Sequence, residues 1–163
     1  ETIIPYYLQQ FETPSGKIEI ASERAEDLGL PRTPLPSVET EENKNYWRLI
    51  TPASFWRMND SYPNEKSISI KTGDASVHMH PTDANRLMIS NGDTVKLYNT
   101  VGSIELEVCL DNDVLPQTLL SYKGRWPSLE TSRKNINFVH KAVSADMGNS
   151  SSVHSTLVEV RKT

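Results

Sequence analysis

The chain has 163 residues, with 17 Lys and Arg against 21 Asp and Glu, which gives a formal charge of −4. This length corresponds to a single domain, the scattered cations give no basic face for nucleic acid, and no apolar run approaches the roughly 18 residues that a membrane span needs. The one cysteine, Cys109, excludes an internal disulfide and a Cys-x-x-Cys metal or cluster site. Because the first residue is Glu1 and not Met, we expect a piece of a larger protein.

We expect residues 1–45 to be an N-terminal appendage and linker from a preceding domain. Residues 1–22 look extended, since they are rich in β-branched and aromatic side chains and alternate at period two near their end. A short helix is predicted from Ser22, which suits an N-cap, to Leu28. Prolines and glutamates over residues 31–45 disfavour strand pairing and packing, so this stretch is interpreted as a solvated linker.

Residues 46–163 have a different texture, with short strands between turn signals. Apolar residues at every second position from Ile104 to Leu110 form one face of the longest strand. Pro81 suits the first position of a helix that runs to Leu87, because its missing N–H costs nothing there. The predicted strands cover residues 47–51, 77–79, 94–99, 103–110, 118–122 and 156–160. Five or six short strands with one or two small helices predict a mainly β fold, a barrel rather than a sandwich.

A long polar loop over residues 51–64 is the first candidate site. Connections of this length in compact domains commonly carry function. Small polar side chains in it offer hydrogen-bond donors and acceptors without bulk: Asn59, Asp60, Ser61 and Asn64. They suit hydrogen bonding to a heterocycle or a ribose. The alternative, which composition favours somewhat, is that these residue types only form turns.

Two further polar pairs are open to more than one interpretation. Asn135 and Asn137 would face one way in an extended chain, either as ligand contacts or as a loop cap. His78 and His80 share one side of an extended stretch, a spacing that some metal sites use. However, His80 directly precedes Pro81, where capping or packing is an ordinary role. We therefore expect no metal site, and neither a transition metal nor an iron–sulfur cluster in the isolated chain.

Nucleophilic catalysis has little support in the sequence. Gly102-Ser103 at a strand start could mark a self-cleaving serine, but a turn glycine followed by a polar strand residue is far more common. Cys109 lies among glutamates on its strand, which makes it a poor nucleophile. The sequence contains no catalytic triad, P-loop or glycine-rich dinucleotide motif, so no catalytic residue is assigned.

A set of short motifs runs in one order along nearly the whole chain: Phe11 to Ile20, Leu49 to Pro52, Met58 to Tyr62, His80 to Ala84, Ile89 to Val95, Asn99 to Gly102, Pro116, Gly124, Trp126, Asn135 to Asn137, Ala145 to Gly148 and His154 to Val160. In this order they resemble the C-terminal molybdopterin guanine dinucleotide-binding domain of the dimethyl sulfoxide reductase (molybdopterin oxidoreductase) family. An anaerobic dehydrogenase is the expected type of parent enzyme. Each motif is weak alone, and the ordered set is the specific signal. Asp60 departs from the small polar residue that is common at its position.

The resemblance implies a double-psi β-barrel, here residues 46–163, that closes over a bis-pyranopterin guanine dinucleotide carrying molybdenum or tungsten. It also implies that the metal ligand and any iron–sulfur cysteines lie upstream. The fragment alone would then be inactive and free of cofactor, and the upstream domains of the same polypeptide would be its partners. A domain of charge −4 would hold this anionic cofactor through neutral donors. The expected cofactor-binding residues are Thr51, Ala53, Ser54, Asn59, Asp60, Ser61, Asn137 and His154.

Strand geometry predicts that five of these residues meet at one rim of the barrel: Thr51, Asn59, Ser61, Asn137 and His154. His154 would share a strand face with Thr156, Val158 and Val160, whose side chains face the interior, and would emerge at the rim where that strand begins. Thr51 ends an earlier strand and reaches the same rim if the two strands are antiparallel. Asn137 lies on the connection before the last strand and can reach that rim as well.

Two other functions remain open, because a fold alone does not settle a function. The first is a protein-interaction β-barrel that does not use the cofactor. The second uses Gly102-Ser103, since pyruvoyl-dependent decarboxylases share this barrel and cleave themselves at such a pair.

Overall fold

The computed structural model describes residues 6–8, 11–35, 45–145 and 147–163. The chain falls into two compact units, Glu1–Thr40 and Glu41–Thr163. Most of the predicted linker, residues 36–44, lies outside the described residues, as do residues 1–5 and 9–10 of the predicted extended stretch. The predicted domain boundary between residues 45 and 46 stays a prediction.

The first unit contains the predicted short helix, α1, Glu23–Asp27. The Ser22 hydroxyl accepts a hydrogen bond from the Ala25 N–H at 3.2 Å, which confirms the predicted N-cap. Residues 17–20 have the alternating pattern of a strand but are not in one, because no neighbouring strand pairs with them among the described residues. Period-two alternation therefore does not form a strand without a partner.

The second unit is a closed six-stranded barrel. Its strands are β1 Trp47–Ile50, β2 Ser76–Met79, β3 Thr94–Tyr98, β4 Ser103–Leu110, β5 Thr118–Leu120 and β6 Thr156–Lys162. Around the barrel they follow the order β1-β5-β2-β4-β3-β6. The pairs β1–β5 and β2–β4 are parallel, and the other pairings are antiparallel. This is a double-psi β-barrel with a few short helices, as the resemblance implied.

The interior of the barrel is filled by alternate residues of each strand. On β4 the predicted inward face is confirmed, since Ile104, Leu106 and Val108 are buried and the glutamates between them are exposed. Of the predicted inward residues on β6, Thr156 and Val158 are buried, and Val160 is partly buried against the core. Leu49, Val77, Met79, Val95, Leu97 and Leu119 complete the centre of this core.

Two short helices lie between strands of the barrel. One is α3, Pro81–Arg86, where His80 Nδ1 accepts a hydrogen bond from the Thr82 N–H at 3.1 Å and so caps the helix. The other is α2, Lys66–Thr72, which the sequence pattern does not predict. Its Ser-Ile-Ser-Ile pattern alternates as in a strand, and a distant contact decides the conformation: Arg125 Nη2 donates to carbonyls at the end of this helix. Among the described residues, no helix is both long and apolar enough to span a membrane.

Two predictions about local conformation are wrong. His154 is not on the last strand, because it lies in the 3-10 helix Val153–Ser155 that precedes β6. The Thr156 hydroxyl donates to the Val153 carbonyl at 3.2 Å, which stabilises this turn. Asn135 and Asn137 are not in an extended chain either, because the 3-10 helix Ile136–Val139 begins between them.

Candidate functional site

The loop that follows β1 is held against the chain that follows β5. The Ile50 carbonyl accepts a hydrogen bond from the Ser121 N–H at 3.1 Å, and the Pro52 carbonyl accepts one from the Lys123 N–H at 3.1 Å. The parallel pairing of β1 and β5 therefore continues past the ends of both strands. This arrangement places the candidate loop, residues 51–64, beside residues 121–126.

A cavity of about 390 Å³ opens between these two segments, and we call it the amide cavity. Its walls combine asparagine side chains and aromatic rings with three charged residues. They are formed by Asn59, Asp60, Tyr122, Lys123, Gly124, Arg125, Trp126, Pro127, Asn135, Ile136 and Asn137. The structure thus brings three of the predicted site residues, Asn59, Asp60 and Asn137, to one cavity.

Two contacts fix the part of the loop that carries Asn59. The Trp126 indole N–H donates to the Asp60 carbonyl at 2.8 Å. Gly124, at φ +85°, lies so close to the Asn59 carbonyl that a Cβ on it would overlap that oxygen. Asn59 itself has φ +55°, a left-handed conformation that asparagine tolerates better than most residues. Its side-chain amide makes no hydrogen bond to another described residue and lines the cavity.

On the opposite wall, the two asparagines of the Asn-Ile-Asn motif have different roles. Asn135 is the cap: its Oδ1 accepts from the Asn137 N–H at 3.1 Å, and its Nδ2 donates to the Arg125 carbonyl at 2.8 Å. Asn137 is exposed, and its side-chain amide has no hydrogen-bond partner among the described residues. The cap interpretation is thus confirmed for Asn135, and a ligand contact stays a prediction for Asn137.

A cluster of two histidines and two threonines connects to this wall. The Thr51 N–H donates to His154 Nδ1 at 3.4 Å. The Thr51 hydroxyl lies 3.4 Å from His140 Nε2, and the other ring nitrogen of His140 is 2.6 Å from the Thr156 hydroxyl. The backbone N–H of His140 also donates to the Asn137 carbonyl at 3.2 Å. Thr51 and His154, which are 103 positions apart in the sequence, thus meet as predicted.

A neutral His140 satisfies these contacts. Because the Thr156 hydroxyl donates to the Val153 carbonyl, it accepts from His140 Nδ1–H, and in the neutral ring Nε2 then accepts from the Thr51 hydroxyl. Burial lowers the pKa of His140 below its usual value, and the charge that His154 can carry lowers it further. The cluster therefore favours uncharged imidazole at neutral pH.

The remaining predicted site residues lie elsewhere in the same loop. Ser54 lines a second cavity, of about 240 Å³, together with Arg57, Lys71 and Tyr122. Ala53 is exposed and Ser61 is partly buried, and both are outside the walls of these two cavities.

The other candidates from the sequence have structural roles. His78 Nδ1 lies 2.9 Å from the Asp111 carboxylate, so that His78 and His80 point to different partners. The described residues contain no group of three or more His, Cys, Asp or Glu arranged to hold a metal ion. Gly102 lies against the Phe138 carbonyl, 2.5 Å from where a Cβ would be, and this close approach explains the glycine.

Several residues of the site are missed by the sequence analysis. Tyr122 and Arg125 line the amide cavity, and His140 joins Thr51 to Thr156. Gly124 and Trp126 belong to the ordered set of motifs, but their role is not evident from the sequence. A glycine followed two residues later by tryptophan, just beyond a strand, is the signal that could have placed this segment at the site.

The barrel and its amide cavity are features of a domain that binds a polar small molecule. A family described as the "Molydopterin dinucleotide binding domain" matches residues 47–157. The chain therefore belongs to this family of molybdopterin dinucleotide-binding domains.

Curated relatives are larger oxidoreductases. The chain is 26% identical over 159 residues to the "Probable oxidoreductase YoaE" of Bacillus subtilis (strain 168), covering 97% of this chain and 23% of that protein. It is 26% identical over 170 residues to "Dimethyl sulfoxide reductase DmsA" of Escherichia coli (strain K12), covering 92% of this chain and 21% of that protein. The chain thus spans less than a quarter of the length of these relatives.

A solved structure has the same fold. Acetylene hydratase from Pelobacter acetylenicus matches with a TM-score of 0.78 and 18% sequence identity, over 95% of this chain and 25% of that chain. At this identity the likeness concerns the fold.

Proposed function

We propose that this domain closes over the guanine dinucleotide end of a molybdenum or tungsten bis-pyranopterin cofactor in a larger oxidoreductase. The amide cavity carries the proposal, because the loop that follows β1 and the chain that follows β5 present free amides to the same space. The chain would bind and orient the cofactor, while the metal ligand and the substrate site would lie in upstream domains of the same polypeptide. On its own the domain would then be inactive.

The residues that line the cavity fit such a group. A guanine base presents several donors and acceptors, and the side chains of Asn59 and Asn137 offer both kinds and have no hydrogen-bond partner within the described ranges. Tyr122 and Trp126 supply aromatic surface on which a planar heterocycle can pack. Arg125, one of the charged lining residues, is neutralised by Glu130, and the two asparagine amides suit a ligand recognised by its edge.

The proposed roles follow from these positions. Asn59 and Asn137 would hydrogen-bond the nucleotide from two sides of the cavity. Thr51, His140 and His154 form a hydrogen-bonded cluster that connects to the wall of the cavity. A neutral His140 would keep that cluster free of charge beside the ligand. When bound, the cofactor supplies the redox chemistry of its metal, and this domain supplies orientation and exclusion of water.

The test uses the cofactor-loaded parent protein. The double variant Asn59→Ala/Asn137→Ala removes two hydrogen-bonding groups, each worth about 0.5–1.5 kcal/mol net, so cofactor loss should accelerate about 5- to 140-fold. Elemental analysis of the metal and chromatography of the guanine nucleotide released by acid report the cofactor remaining at each time. The matched control is Asn112→Ala, an exposed asparagine on the connection between β4 and β5. Equal rates of loss in the double variant and the control would refute the assignment.

An interaction barrel that does not use the cofactor has one observation in its favour. Phe55, Met58 and Tyr62, on the loop after β1, are 88%, 66% and 56% exposed. The same experiment separates the two functions, because an interaction barrel would leave cofactor retention unchanged in the Asn59→Ala/Asn137→Ala variant.

A further inference from the structure

The second cavity of the barrel contains a buried cation that has no carboxylate partner in the part of the chain that the structure describes. Arg57 is only 8% exposed, and its guanidinium donates to neutral oxygens, the Gly124 carbonyl at 3.4 Å and the Thr72 hydroxyl at 2.6 Å. Its Nε is a buried nitrogen without any hydrogen-bond partner among the described residues. A buried, unpaired charge is unfavourable unless an opposite charge compensates it.

The neighbouring charged side chains increase the excess of positive charge at this cavity. Arg125 is neutralised by Glu130, with Nη1 to carboxylate distances of 3.1 and 3.3 Å, and both side chains are about 10% exposed. Lys71 has its Nζ 4.0 Å from the centre of the Trp56 ring and forms no ion pair with a described carboxylate. Among the described residues, the buried Arg57 and the exposed Lys71 thus bring two cations without a carboxylate partner to one cavity. Burial and the charge of Arg125 lower the pKa of Arg57, against the opposing effect of Glu130, as expected for a guanidinium in this position.

The cavity itself has the size and the donors for a small anion. Its volume is about 240 Å³, and its walls combine Arg57, Lys71 and Arg125 with the aromatic rings of Trp56 and Tyr122. The Ser54 hydroxyl, also on the wall, accepts a hydrogen bond from the Trp56 backbone N–H at 3.3 Å and donates to none of the described residues. The site therefore offers a hydroxyl and an ammonium as direct donors, with the guanidinium charge behind them.

We propose that this cavity, which we call the Arg57 cavity, binds a phosphoryl group. A phosphate monoester carries a charge of about −1.5 to −2 at neutral pH, which matches the two uncompensated cations better than a carboxylate does. The Arg57 cavity shares Tyr122 and Arg125 with the amide cavity. The phosphoryl group can accordingly come from free phosphate or from a nucleotide whose base occupies the amide cavity. The site does not depend on the proposed function, because inorganic phosphate alone can test it.

The test is an NMR titration of the full chain that observes the Arg57 Nε–H and the Trp56 indole N–H. Inorganic phosphate, guanosine and guanosine diphosphate are added in turn, with sodium chloride adjusted to keep the ionic strength constant. We expect phosphate and guanosine diphosphate each to shift both signals. For a given ligand, the two signals should give the same Kd. Tighter binding of the diphosphate than of phosphate would assign the site to a nucleotide, and equal binding would assign it to free phosphate; either result supports the site.

Charge variants on one helix provide the matched control. Lys71→Gln should weaken phosphate binding about tenfold, the loss expected for one charge-assisted contact. Lys66→Gln makes the same chemical change at an exposed position on α2 outside the cavity and should leave binding within about twofold. The proposal is overturned if phosphate leaves both signals unchanged, or if the two variants bind it equally. Because neither variant touches Asn59 or Asn137, failure here is distinguishable from failure of the proposed function.

Discussion

Gly124 positions the loop that carries Asn59, and its replacement by alanine gives a sharp test of the site geometry. Gly124 has φ +85°, and a Cβ on it would overlap the Asn59 carbonyl. Gly92 provides an internal reference, since it has nearly the same conformation, φ +84°, and a Cβ on it would have nothing within 4 Å. The two alanine variants therefore share the cost of a left-handed residue and differ in the contact with Asn59.

The expected magnitudes follow from these two terms. An L-residue in the left-handed region costs roughly 1–2 kcal/mol, and this cost applies to Gly92→Ala and Gly124→Ala alike. Forcing a methyl group into an occupied space adds about 1–3 kcal/mol, and this cost applies to Gly124→Ala alone. Gly124→Ala should therefore lower the free energy of unfolding by about 2–5 kcal/mol, and Gly92→Ala by about 1–2 kcal/mol.

Urea denaturation followed by tryptophan fluorescence measures both values. The m-value should stay constant, which shows that the variants change stability and not the extent of unfolding. In the folded Gly124→Ala variant, the Trp126 indole N–H signal should also move, because that group donates to the Asp60 carbonyl beside Asn59. If the two variants lose the same free energy and the Trp126 signal stays in place, the close approach does not position the loop.

Two further predictions concern the polar contacts around the barrel. Asn99 Nδ2 donates to the Val139 and Leu157 carbonyls at 2.7 and 3.1 Å, so Asn99→Ala should cost about 2–4 kcal/mol in urea denaturation. Asn99→Asp keeps the shape but sets a carboxylate against both carbonyls and should cost at least as much; a loss below about 1 kcal/mol in either variant would contradict this role. The pKa of His140 is lowered on folding, so as the pH falls the unfolded chain takes up a proton near pH 6.5, before the folded chain does. The stability that this residue contributes at neutral pH is therefore lost as the pH falls below about 6.5. The His140→Gln variant should lose less stability between about pH 7 and pH 5 than the natural chain, and an unchanged pH dependence would show that His140 is not the titrating group.

Much of the barrel is predictable because strand patterns report burial. The alternation from Ile104 to Leu110 gives β4 and its inward face, and Pro81 gives the start of α3. The order of the motifs indicates the family, which the match over residues 47–157 confirms. These features depend on local sequence, where each side chain selects its own conformation or face.

The errors occur where a distant residue decides a local conformation. The strand-like pattern of α2 gives way to a helix whose terminal carbonyls are capped by Arg125, more than fifty positions away. His154 leaves the predicted strand face because hydroxyl contacts before β6 form a 3-10 turn. Propensity is a weak signal in such segments, and tertiary contacts override it.

The sequence by itself determined the class of fold, the core faces of the strands and the loop that carries the candidate site. Only the tertiary structure decided which polar residues of that site are free to bind a ligand. Asn135 and Asn137 are identical in type and two positions apart, yet one caps a 3-10 helix and the other presents its amide to the cavity. Arg57 is one cation among many in the sequence, and its burial without a carboxylate is visible only once the chain is folded. The physical reason is that a residue's hydrogen-bond partners come from distant parts of the chain, whereas its type and periodicity are local.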